Sequence, residues 1–199
     1  MAVSTYSQVP GLQCLLDSQY RFHICYRWML ALILDIVVPD TKCWTDVCNS
    51  MRLTGTDGQS LTLEVLGYQF PDPRPDEYDS NWLRIKGAGA CSRGHWTFVD
   101  PCLLTFEVAA LADWLECVAS GGSCSSEITF IEPNLSFHQQ SGALRVYFEL
   151  EARPAWAASK EAPEEDLWLD FPASAEMLRV GAMALRHQLQ RFPRRWASD

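Results

Sequence analysis

Apolar and polar residues alternate with period two in several short runs of this chain, and those runs predict strands. Residues 61–65 (LTLEV) place Leu61, Leu63 and Val65 on one face. Residues 81–85 (NWLRI) set Leu83 and Ile85 opposite Trp82 and Arg84, the pattern of a half-buried strand. Gly87, Gly89 and Gly94 then predict a turn, 95–99 (HWTFV) the returning strand, and Asp100-Pro101 its close. Further strands are expected at 127–131, 135–137, 144–150 and 167–171, with Gly142 marking a hairpin turn before Leu144. Two stretches change to a helical period. Thr105 is the expected N-cap of a helix running from Phe106 to about Ala119. Ser174 is expected to cap a second helix over 175–191, with Leu178, Leu185, Leu189 and Phe192 on one face and Pro193 as its stop. Strands joined by short turns, with few helices, predict an α+β fold: a mainly antiparallel sheet of hairpins with two amphipathic helices.

The first fifty residues break the pattern. They hold Cys14, Cys25, Cys43 and Cys48, half of the eight cysteines. Their apolar run, 28–38, is interrupted by Asp35 and falls short of the roughly twenty residues a membrane span needs. It also lacks the basic start and small-residue cleavage site of an export signal. The expectation is a poorly defined extension over 1–50, upstream of a natural start at Met51, and a single α+β domain over 51–199. The alternative is a genuine N-terminal helix, about 19–34, resting on that domain.

Charge narrows the partner. The 199 residues carry 16 Lys or Arg and 25 Asp or Glu, a formal charge of −9 with a pI near 4.9. Such a field repels phosphates and argues against direct nucleic-acid binding. It would steer a basic protein instead, although acidity also serves plain solubility. Asp72, Asp76, Glu77 and Asp79 stand among Pro71, Pro73 and Pro75, which stiffen the connection that presents them. These four are the candidate partner-binding residues. A second acidic group, Glu161, Glu164, Glu165 and Asp166, follows an Ala/Pro-rich stretch and reads as a solvated loop. Glu107 lies in the first turn of the first helix, where the macrodipole favours it without any function.

Catalytic and metal patterns are weak. No Cys-x-x-Cys, Gly-x-Ser-x-Gly, His-Glu-x-x-His or phosphate loop occurs, and neither metal nor cofactor is expected. Cys117 reads as a small buried helix residue, Cys124 as part of a Gly-rich loop, and without an export signal reduced thiols are expected. His95 and His138 would need the fold to bring them to Cys102 or Glu132 before they could serve a hydrolase. Eight tryptophans are many; Trp82, Trp96, Trp114 and Trp168 fall on apolar faces and are expected in the core, with one or two others left as interface anchors.

A resemblance adds to this. Residues 76–114, with Tyr78-Asp79-Ser80-Asn81-Trp82-Leu83 and Asp100-Pro101-Cys102-Leu103-Leu104-Thr105, resemble the WapI family of bacterial immunity proteins. Ile131-Glu132-Pro133-Asn134-Leu135-Ser136-Phe137 and Phe148-Glu149-Leu150-Glu151 are similar to it at comparable places, so the likeness spans roughly 61–192. Each motif is a packing pattern, and their order carries the specificity. The resemblance implies a small cytoplasmic protein that binds and neutralises a tRNA-cleaving, contact-dependent toxin domain by steric and electrostatic occlusion. Two other readings stay open: a small-ligand or carbohydrate-binding β-rich module, suggested by the tryptophans, and a hydrolase whose site assembles only in three dimensions.

Overall fold

The computed structural model describes residues 50–157 and 166–196, which lie in the second of the two units into which the chain divides, 42–199. The expectations for the extension, including its cysteines and the helix at 19–34, fall on 1–49 and lie outside the described residues, as do Glu161, Glu164 and Glu165. Two four-stranded antiparallel meanders form the frame. The first runs β1 (Met51–Thr54), β2 (Ser60–Tyr68), β3 (Trp82–Cys91) and β4 (Gly94–Leu104). The second runs β5 (Glu127–Thr129), β6 (Leu135–Gln140), β7 (Ala143–Phe148) and β8 (Trp168–Pro172). A short helix α1 (Glu77–Asn81) precedes β3, α2 (Thr105–Ser120) links the sheets, and α3 (Ala175–Arg191) follows β8. The α+β fold, its antiparallel sheets and its two long helices are as expected.

Alternation produces the inner faces as period two demands. Leu61, Leu63 and Val65 of β2 meet Leu83 and Ile85 of β3 inside, while Phe137, Val146 and Phe148 fill the inner face of the second sheet. One contiguous core receives both faces and both long helices. Gly181 of α3 lies over Met51, close enough that a Cβ would touch the methionine at 3.5 Å. Trp96 ties the sheets together: its ring meets Phe148 edge-on at 5.2 Å and its Nε1 donates to the Ala152 carbonyl at 2.9 Å. Ser141-Gly142 has positive φ at both positions between the paired residues Gln140 and Ala143, the two-residue turn that matches strand twist.

Three local expectations are corrected. Gly87 and Gly89 lie within β3 rather than in a turn, because Phe98 and Trp96 on β4 lie across them; a Cβ at either glycine would fall inside the facing ring. Asp100-Pro101 does not close β4. The register slips there, from Ile85 opposite Asp100 to Leu83 opposite Leu103, and a bulge of this kind accepts a proline that has no N–H to pair. Thr105 is the first residue of α2 rather than its cap. The capping residue is Leu104, whose N–H donates to the Glu107 carboxylate at 2.9 Å. Ser174 does cap α3, accepting from the Met177 N–H. No helix among the described residues is long and apolar enough to cross a membrane.

Candidate functional site: an acidic cleft

A hollow of about 450 Å³ opens where α1, the β4 bulge, the loop after β5 and the turn Leu150–Ala152 converge. Asp79, Asp100, Glu132 and Glu151 line it with Phe70, Trp82, Pro101 and Leu150, and among the described residues no Lys or Arg lines it. The bulge turns Asp100 to this side. Burial, then the nearby Glu151 and Glu132, raise its pKa above the ordinary carboxylate range. Like charges thus face one another across a concave surface that holds no cation among the described residues, a repulsion that an arriving cation relieves.

An apolar lip accompanies the acids. Leu150 is 55% exposed and holds φ at +48°, a left-handed conformation unusual for a leucine. Behind it, Glu151 accepts from Asn134 Nδ2 at 3.2 Å. Glu107, deep at the start of α2, accepts from Leu104 N–H and from Ile131 N–H at 2.8 Å, and so anchors the loop that carries Glu132. Its pKa is raised by burial, against the lowering effect of those two hydrogen bonds. The sequence reading gave Glu107 only the helix dipole. Its reach to Ile131 depends on the tertiary fold.

The four predicted acids are divided by the fold. Asp79 lines the cleft. Asp76 caps α1, accepting from the N–H groups of Tyr78 at 2.8 Å and Asp79 at 3.1 Å. Glu77 is paired with Arg194, and Asp72 is exposed in the preceding loop. Asp100 and Glu151 are not singled out from the sequence, and Glu132 only as a possible hydrolase partner of a histidine, because the three come from separate elements. Trp82 lines the cleft, Trp96 and Trp114 are buried as expected, and Trp168 is a correction: it is 41% exposed on the outer face of β8.

The outer face of the second sheet carries another arrangement. His138 Nε2 lies 3.1 Å from Ser136 Oγ and its Nδ1 3.2 Å from Glu127. That order of groups resembles a nucleophile, base and orienter. Ser136, however, is paired on both sides, with Thr129 of β5 and Tyr147 of β7. The chain is part of a side-chain ladder in which Arg145 and Asp170 form the next pair. Cys102 is fully buried, and burial together with Asp100 pushes its thiol up to about 12, so it holds its proton. Among the described residues no cluster of three or more His, Cys, Asp or Glu could hold a metal ion.

Residues 52–193 match the immunity protein WapI-like family. The chain belongs to that family. No curated protein and no solved structure matches it. The match begins in β1 and ends just past α3, so it embraces both sheets, both long helices and the whole cleft. Membership in the WapI-like family gives the protein an immunity role and implies a toxin protein as its partner.

Proposed function

We propose that the protein neutralises its toxin by seating a basic surface of the toxin in the acidic cleft, which blocks that surface from its substrate. The single observation behind this reading is the cleft itself: four carboxylates, no lining cation among the described residues, and an exposed apolar lip. A nuclease that cleaves tRNA suits it, since an enzyme acting on a polyanion presents cations around its site. Asp79 and Asp72 supply the loop's share of the field, while Asp76 and Glu77 hold the loop's shape. The protein meets the toxin in the cytoplasm of the protected cell. Action by occlusion is stoichiometric, so toxin-driven RNA cleavage should stop near one equivalent.

Asp79→Asn, Glu132→Gln and Glu151→Gln together should slow association and flatten its salt dependence, at a cost of about 1–3 kcal/mol in affinity. All three line the cleft with no cation partner among the described residues, so the fold should tolerate the change. An association rate unchanged at low salt would remove the cleft from the interface. Catalytic, sub-stoichiometric loss of toxin would replace occlusion with an enzymatic mechanism.

A further inference from the structure

The loop that leads to Asp79 is held largely by side chains rather than by a strand ladder. Ser80 Oγ accepts from Arg74 N–H and donates to the Arg74 carbonyl, both at 2.7 Å. A further restraint comes from more than a hundred residues away, on the segment after α3, where Arg194 also pairs with Glu77. Arg195 donates through one guanidinium nitrogen to the Phe70 carbonyl and through another to the Pro71 carbonyl, each at 2.9 Å. Its guanidinium also stacks on the Tyr68 ring at 3.4 Å. The backbone of Arg195 is itself fixed by buried Asn81, which accepts from its N–H at 2.8 Å and donates to its carbonyl at 2.7 Å. Thr105 Oγ1 donates to the same Asn81 oxygen at 2.7 Å, so the start of α2 closes the network.

We propose that Arg195 is a positioning residue for toxin binding: its fork across the Phe70 and Pro71 carbonyls holds the acidic loop in the shape the toxin meets. The inference rests on the cleft reading above. Arg195 lies two residues beyond the end of the family match. Its role is positional because of its sign. A cation on an acidic face weakens attraction for a basic partner, so by charge alone its removal should strengthen binding. As a strap, its removal frees a loop that must be ordered again at each encounter, and binding weakens.

Arg195→Ala and Arg195→Lys in the full chain test this. Backbone amide exchange over residues 70–80 should accelerate about tenfold or more in both variants, while β3 and α2 keep their protection. Toxin affinity should fall roughly tenfold in both, because lysine retains the charge but not the planar fork. Lys remains compatible with the fold, so the comparison survives a destabilised alanine variant. Unchanged loop exchange overturns the proposal. So does restoration of both readouts by lysine, or faster exchange with equal or tighter toxin binding. Glu132→Gln with Glu151→Gln, on elements the strap does not touch, separates the two ideas: toxin binding that survives those changes but falls in Arg195→Ala removes the cleft and leaves the strap.

Discussion

Glu107→Ala is the most informative single change, because one carboxylate joins the start of α2 to the wall of the cleft. Its removal orphans two backbone donors, Leu104 N–H, which is buried, and Ile131 N–H, which is partly so. An unsatisfied buried donor costs about 1–3 kcal/mol, and loss of a helix cap falls in the same range. Relief of a desolvated carboxylate offsets part of this, which leaves a net loss of about 2–3 kcal/mol. For a domain of this size that corresponds to a midpoint lower by roughly 5–10 °C. Urea unfolding should show the midpoint falling with the slope unchanged. Glu107→Gln, which keeps one acceptor, should fall between wild type and alanine. Toxin affinity should fall as well, since Ile131 precedes Glu132. A stability loss below about 0.5 kcal/mol in the alanine variant would show that water replaces the carboxylate and would refute the anchoring argument.

Other outcomes follow from the same contacts. Gly87→Ala should destabilise by about 1–3 kcal/mol, since its Cβ meets the Phe98 ring, and a double variant with Phe98→Leu should recover part of the loss in thermal unfolding. Asp100 and Glu107 both have raised pKa values in the fold, so the folded state binds protons more tightly there. Their contribution is full below the ordinary carboxylate pKa and is lost as pH rises through the elevated values. Asp100→Asn should therefore gain stability relative to wild type as pH rises from about 4 towards neutrality; a pH-independent difference would refute that account. We also propose that residues 51–199 suffice for the fold and for protection. A chain beginning at Met51 should unfold cooperatively and protect fully, whereas insolubility or loss of protection would make the preceding residues part of the core.

Much of the fold was legible because strands and helices declare themselves over a few neighbouring residues. Period two at 61–65 and 81–85 determined which side chains face inward, and Ser174 with Pro193 bounded α3, since capping and helix termination are local chemistry. The family likeness was legible for the same reason: ordered packing motifs lie along the chain. What the sequence could not decide was anything set by a partner far along the chain. Gly87 and Gly89 looked like a turn until Phe98 and Trp96 were placed across them. Trp168, by contrast, shares its face of β8 with Asp170, opposite buried Leu169 and Phe171, so period two itself sets it on the outer face and its apolar character misleads. The acidic cleft is the extreme case. Asp79, Asp100, Glu132 and Glu151 are spread over some seventy residues and belong to different elements, so no spacing rule gathers them. The bulge at Pro101, the Glu107 anchor and the turn at Leu150 bring them together, and the mutual repulsion that sets the site's chemistry exists only once they meet.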